Sequence, residues 1–200
     1  AGTVKAMTPE DLVGLGYEMI LGNTYHLALR PGEEVIRRLG GLHRFMHWER
    51  PILTDSGGFQ VLSQAERRTL SDDGVVFRSH LDGSRLEMTP ERSMRIQDAL
   101  GSDIVMAFDD CPPLPSERAR LEAAVERTSR WASRCLGSFP RDGRALFGIA
   151  QGGDDTDLRR RSVEAITGLG FDGYAIGGVS VGESADRSRA TVAITAPLLP

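Results

Sequence analysis

Seven consecutive residues, Thr54-Asp55-Ser56-Gly57-Gly58-Phe59-Gln60, bring a carboxylate, two glycines, an aromatic ring and an amide to the point where the apolar run Pro51-Ile52-Leu53 stops. An apolar run that ends on an acid reads as a buried strand whose C-terminal tip faces a cavity. Gly57 and Gly58 let the main chain approach a bound group, Phe59 can cover a flat ring, and Gln60 can cap the turn or meet a ring edge. The same residues also make a good turn, with Asp55 capping a following helix. The rest of the chain weighs toward the cavity reading.

Four other apolar runs stop in the same way. Asn23 follows residues 18–21, Asp109-Asp110 follow 103–108, Gln151 follows 145–150, and Gly177-Gly178 follow 173–176. Carboxylates accept hydrogen bonds, an amide side chain both donates and accepts, and a glycine N–H donates. Asp109 could face the N1–H and 2-amino donors of a guanine-like edge, with Gln151 and the Gly178 N–H facing O6. Phe59 would then cover one face of the ring and apolar residues such as Val179 the other. Adenine, sugars or small acids would also suit such a rim.

Those residues need elements to hold them. Thr8-Pro9-Glu10-Asp11 has the signals of a helix start, and a short helix is expected over 33–39, closed by Gly40-Gly41. Residues 67–88 contain the turns Asp73-Gly74 and Asp82-Gly83 between short alternating runs, which predicts an antiparallel hairpin excursion. Helices are expected from Thr89-Pro90 to Gly101, over 116–136 with Leu121, Val125, Thr128 and Trp131 on one face, over 155–169, and from about Glu183 onward. Strands alternating with helices predict a parallel α/β sheet covered on both faces. No GxGxxG follows the first strand, so a dinucleotide-binding sheet has little support. The expectation is a single domain over 1–200, an incomplete (β/α)8 TIM barrel whose strand ends carry the chemistry. About five strands, with a remnant at Thr3-Val4, against eight in a closed barrel would leave two or three units to lie elsewhere. The lack of an initiator methionine adds the expectation that the chain begins partway through something longer.

Composition narrows the class. With 40% hydrophobic residues and a net charge of −4, the chain can bury a sizeable core and is not a uniformly basic nucleic-acid binder. Arg37-Arg38, Arg67-Arg68 and Arg159-Arg160-Arg161 are candidate phosphate contacts, although a solvated helix face is the commoner meaning of such runs. Cys111 and Cys135 have neither zinc-site nor disulfide spacing, which points to a reducing cytoplasm. No 18-residue apolar run signals a membrane span.

The motifs Leu21-Gly22-Asn23-Thr24-Tyr25-His26, Thr54-Asp55-Ser56-Gly57-Gly58-Phe59-Gln60, Ser79-His80-Leu81-Asp82-Gly83-Ser84, residues 101–109, Phe147-Gly148-Ile149-Ala150-Gln151-Gly152 and Gly173-Tyr174-Ala175-Ile176-Gly177-Gly178 resemble, in order, those of the tRNA-guanine transglycosylases (queuine tRNA-ribosyltransferases). The resemblance implies a TIM barrel that exchanges guanine at the tRNA anticodon wobble position for a 7-deazaguanine, through a flipped base and a covalent ribosyl-enzyme intermediate. It implies that Asp109 and Gln151 hold the base edge, that the Gly178 amide meets O6, and that Phe59 stacks. Asp55 is implied at the reacting centre, as base or as a base-binding, proton-handling acid, with Asn23 beside it. Ser56, Gly57, Gly58, Gly177 and Val179 belong to the same implied binding set. Cys111 and Val181 follow the bacterial pattern, so preQ1 is implied rather than queuine, and Glu183 matches an acid associated with its aminomethyl group. By the bland reading Cys111 is a small apolar wall, Asp110 a helix cap and Cys135 core.

The family's nucleophilic aspartate and its cysteine–histidine zinc site are expected beyond Pro200, so neither a nucleophile nor a metal ligand is assigned here. The chain by itself is therefore expected to be inactive, with unpaired sheet edges. Implied partners are the tRNA anticodon loop, guanine or preQ1, and a second copy in a homodimer, with no membrane and a cytoplasmic location. Two other classes remain open: a non-catalytic tRNA- or base-binding accessory subunit, and a barrel glycosidase using two carboxylates.

Overall fold

The computed structural model describes residues 2–64, 68–140 and 142–200. Along the chain run α1 (Pro9–Gly14), β1 (Ile20–Gly22), α2 (Thr24–Leu29), α3 (Glu33–Arg38), α4 (Gly41–Met46), β2 (Ile52–Thr54), α5 (Gly58–Gln64), β3 (Arg68–Leu70), β4 (Val75–Arg78) and β5 (Arg85–Met88). These are followed by α6 (Pro90–Leu100), β6 (Ile104–Met106), α7 (Arg118–Ser138), β7 (Ala145–Ala150), α8 (Thr156–Thr167), β8 (Gly173–Ile176) and α9 (Ala185–Thr195).

The strands β1, β2, β6, β7 and β8 form one parallel sheet in that spatial order. Each strand lies beside the next parallel strand in sequence, with no reversal point of the kind that marks a doubly wound sheet. The sheet is thus the arc of a (β/α)8 barrel, incomplete in this chain. Side chains alternate across it. Ile20 and Ile52 lie side by side and are buried under the helices, while their neighbours Leu21 and Leu53 face a cavity on the other side. Because β1 is an edge, Leu21 stays 57% exposed there. The expectation of a sheet covered on both faces is therefore not met: helices pack on one face, and the other lines the cavity.

The excursion after α5 is a three-stranded antiparallel meander, β3-β4-β5, turning at residues 71–74 and 79–84. Residue 67, the start of the excursion read from sequence and part of the Arg67-Arg68 pair, lies outside the described residues. The meander is fastened to α7, where Trp131 Nε1 donates to Asp72 O (2.7 Å) and the Trp131 ring stacks on Phe108 at 4.8 Å between centroids. Thr3-Val4 is not a strand. Met7 N donates to Val4 O (3.2 Å), closing a turn that takes main-chain groups a strand would use for pairing. Three short helices, α2, α4 and α5, are additional to the expected elements.

Where β2 ends, α6 takes over its pairing. The Gln97 side chain accepts from Met106 N (3.0 Å) and donates to Met106 O (2.9 Å), satisfying both main-chain groups as a strand would. Its Oε1 also accepts from Thr54 Oγ1 (2.9 Å), and Ser93 on the same helix donates to Ser56 O (2.7 Å). One buried amide thus lets β2 and β6 diverge, which opens the space between Asp55 and Asp109. Gln97→Ala would leave the buried Met106 N–H and C=O unpaired. We expect a loss of about 3 kcal/mol or more in urea unfolding, and a cost under about 1 kcal/mol would contradict this role.

Candidate functional site

All five strands of the parallel sheet contribute to one cavity of about 310 Å³, lined by Asp55, Phe59, Asp109, Cys111, Gly178 and Val181 together with Leu21, Leu53, Met106 and Ile149. The size suits a single planar base rather than an oligosaccharide.

Asp109, at the end of β6, is 6% exposed. Its Oδ1 accepts from Ser56 Oγ (3.0 Å) and its Oδ2 from Gln151 Nε2 (2.7 Å), so one carboxylate joins the ends of β2, β6 and β7. Both donors are neutral. Burial pushes its carboxyl up to about 6, with the Gln151 and Ser56 bonds opposing that rise and the Asp110 and Asp55 charges adding to it. The fit depends on Gly58: a side chain there would begin 2.7 Å from Asp109 O and 3.1 Å from Asp109 Oδ1.

Asp55 sits across the cavity at the tip of β2. Its Oδ2 accepts from Asn23 Nδ2 (2.5 Å) and Gln60 Nε2 (3.3 Å), and its Oδ1 from the amides of Thr24 (2.9 Å) and Gly57 (3.1 Å). Burial raises this carboxyl to about 6 as well, against the pull of the Thr24 and Gly57 amides. Asn23 is placed by its second task, since its Oδ1 caps α2 by accepting from His26 N (2.9 Å). Two desolvated carboxylates that titrate near neutrality in one cavity are suited to accepting N–H donors and to moving a proton.

Gln151 is buried, and Ser162 Oγ accepts from its main-chain N–H (2.8 Å). Its Oε1 has no partner among the described residues. Gly177 and Gly178 pass directly over this amide, where a side chain on either would begin 2.5–2.9 Å from it. Phe59 is 38% exposed at the mouth, open to a stacking ring. Cys111 is buried in the wall with its thiol pushed up by burial to about 12, which suits a wall and not a nucleophile.

The structure thus brings together Asn23, Asp55, Ser56, Gly57, Gly58, Phe59, Asp109, Cys111, Gln151, Gly177, Gly178, Val179 and Val181. Glu183 is placed differently. Its carboxylate accepts from Ser188 Oγ and from the amides of Ser180 and Val181, bonds that hold its acidity at about 2, and it caps its own loop without lining the cavity. Asp110 is not a helix cap. It is buried between Arg120 (2.5 Å) and Arg127 (2.6 Å), two guanidiniums that compensate its charge. Cys135 is core, as expected, accepting from Phe108 N (3.3 Å).

Of the basic runs, Arg37 pairs with Glu34 and Arg161 with Glu122. Arg159 overturns the surface reading, because it is 0% exposed and bonded to main-chain carbonyls. The signal was present in its spacing, since 159, 162, 163 and 166 form the buried stripe of α8. Thr24 and Gln60 also reach Asp55; Gln60 was read from sequence as capping the turn or meeting a ring edge, whereas Thr24 was not assigned to the site. No three metal-ligating side chains converge among the described residues, and the thiols of both cysteines are buried and pushed up to about 12, so these residues do not fit a zinc ion. No helix among the described residues is long and apolar enough to cross a membrane.

Comparison with known proteins follows the same lines. The family model described as Queuine tRNA-ribosyltransferase matches residues 1–200. Among curated proteins of that name, the one from Halalkalibacterium halodurans is 59% identical over 199 residues, 99% of this chain and 52% of its own length. That from Moorella thermoacetica is 63% identical over 181 residues, 90% of this chain and 48% of its own length. That from Bacillus subtilis is 54% identical, covering 99% of this chain and 52% of its own length. The chain spans about half the length of the curated relatives it matches.

The raised Asp109 carboxyl carries a stability prediction. The folded protein holds this proton more tightly than the unfolded chain, so ionising it weakens the fold as pH rises from about 4 to 6, and the penalty is complete above that. Asp109→Asn removes the charge, and Gln151, whose Oε1 is free, can turn over to accept the new N–H. Thermal melts should show the variant at least as stable as wild type at pH 8, with its relative standing falling toward pH 5. A variant markedly less stable at pH 8 would contradict the assignment.

Proposed function

Because the chain belongs to the queuine tRNA-ribosyltransferase family, we propose that it forms the base-reading part of an enzyme that exchanges guanine at the tRNA wobble position for the 7-deazaguanine preQ1. The observation that carries this reading is the Asp109 carboxylate, buried at the cavity wall with only the neutral donors Ser56 and Gln151. An anion left without a cation in an apolar cavity calls for a ligand that brings N–H groups. The N1–H and 2-amino group of guanine or preQ1 supply them. The Gly178 N–H and the second Gln151 Nε2 hydrogen then meet the 6-oxygen, and Phe59 covers the ring at the mouth.

A base stacked among its neighbours in the anticodon loop could not reach this cavity, so the nucleotide is flipped out to enter it. Asp55, raised to about 6, takes or gives the proton that a departing or arriving base requires near neutral pH. Asn23, Gln60 and the Thr24 and Gly57 amides fix its orientation during that transfer. The covalent ribosyl step needs a nucleophile that the resemblance places outside this chain, and no side chain here is given that role. Zinc likewise would take its ligands from elsewhere in the protein. A homodimer and a cytoplasmic location fit a tRNA-modifying enzyme. Asp55, Asp109 and Gln151 standing together in one cavity favour the catalytic line over a non-catalytic accessory subunit.

Only ionised Asp109 accepts both purine donors. Guanine affinity, measured by calorimetry on the full-length protein, should therefore rise about tenfold per pH unit up to about pH 6 and level off above 7. Asp109→Asn should weaken binding at pH 7.5 by about 100-fold and abolish exchange of labelled guanine into tRNA. A variant that binds guanine as wild type does, or affinity that falls with rising pH, would overturn this reading.

A further inference from the structure

Among the described residues Arg159 is a cation with no carboxylate partner, buried directly behind the base site. It projects from α8, is 0% exposed, and makes every one of its hydrogen bonds to main-chain carbonyls. Nε donates to Gly153 O (2.7 Å), and Nη1 donates to Ala150 O (3.1 Å) and Gly177 O (2.7 Å). The guanidinium therefore ties the tip of β7 to the tip of β8. Its Nη2 has no partner among the described residues and lies 3.1 Å from where a side chain on Gly178 would begin, so the group sits immediately behind that residue. Holding an unpaired guanidinium in the interior is costly, and three carbonyls along the strand tips are its return.

The consequence lies in one peptide unit. The Gly177–Gly178 bond is trans and planar, so its C=O and N–H point in opposite directions. With the Gly177 carbonyl drawn onto Arg159, the Gly178 N–H must point the other way, toward the cavity, where it faces the Cys111 sulfur. Two consecutive glycines have little preference of their own, and Gly178 already sits at φ +67°. A half-turn of that peptide would cost little locally. It would replace the cavity's N–H donor with a carbonyl beside the Asp109 carboxylate.

We propose that Arg159 is a positioning residue for base selection: it holds the Gly177 carbonyl so that the Gly178 N–H is presented to the 6-oxygen of the bound base. The inference rests on the base-reading role proposed above. Arg159 touches no ligand itself. It acts through the orientation of a peptide, and so it sets which ligand edge the site accepts, an oxygen acceptor rather than a donor.

The test compares guanine with 6-thioguanine, which keeps N1–H and the 2-amino group but carries a poor acceptor in place of the 6-oxygen. Both are titrated into full-length wild type, Arg159→Met and Arg159→Lys, with thermal melts alongside. Wild type should prefer guanine by about tenfold, the worth of one buried hydrogen bond. Arg159→Met should bring that preference to within about twofold of unity. Arg159→Lys, which retains a charged donor for the Gly177 carbonyl, should recover part of it. A merely structural residue would weaken both ligands by the same factor and leave the ratio unchanged, and that result overturns the proposal. Failure of wild type to bind guanine would instead sink the base-reading role itself. If neither variant folds, a crystal structure of wild type with guanine decides. A Gly177 carbonyl on Arg159, with Gly178 N at hydrogen-bond distance from the 6-oxygen, upholds the proposal, and a carbonyl turned into the cavity overturns it.

Discussion

The site depends on one desolvated carboxylate. Asp109 accepts from Ser56 at the tip of β2 and from Gln151 at the tip of β7, while itself ending β6, so three neighbouring strands converge on a single anion. Burial makes that anion reluctant, and its acidity near 6 is the measure of that reluctance. Nearby structure keeps it both buried and reachable. Gly58 admits the Asp109 main chain at a distance no other residue would allow, and the Gln97 amide stands in for a strand so that β2 and β6 can part above it. Asp110, next in sequence, is neutralised by Arg120 and Arg127, which limits the repulsion Asp109 would otherwise feel.

Asp55 repeats the logic with different partners. Asp109 is held by two side chains, whereas Asp55 is held by two main-chain amides and two side-chain amides, four donors that fix its direction. The two acids therefore share an acidity but differ in freedom. Asp109 keeps acceptor capacity for a ligand edge, and Asp55 is oriented for proton traffic. The barrel arc makes this division possible, because parallel strands in sequential order deliver all their C-terminal ends to one rim.

The strand tips were legible in the sequence because an apolar run that stops on Asp, Asn, Gln or Gly-Gly has few purely structural explanations when it recurs five times. The longest helix was legible from its stripe of Leu121, Val125, Thr128 and Trp131, all of them buried. The short helices α2, α4 and α5 were not, since six or seven residues hold too little periodicity to register, and α4 starts from a left-handed glycine with no side-chain cap. Asn23 looked like a rim residue and is also a helix cap, so a single side chain carried two signals. Arg159 was misread because a run of three arginines suggests solvent, while burial is decided by helical phase. Glu183 was expected toward the ligand, yet the amides of its own loop are nearer and claim the carboxylate.

The central claim, that a buried carboxylate reads the donor edge of a purine, can be put to one direct measurement. Carbon-13 NMR titration of labelled aspartate carboxyls in the full-length protein would follow Asp109 without and with saturating guanine. The account predicts a free-state midpoint near 6 that falls by two units or more once the purine N–H groups are in place, because those donors stabilise the ionised form. A midpoint already near that of an ordinary exposed aspartate, or one that guanine leaves unmoved, would contradict it.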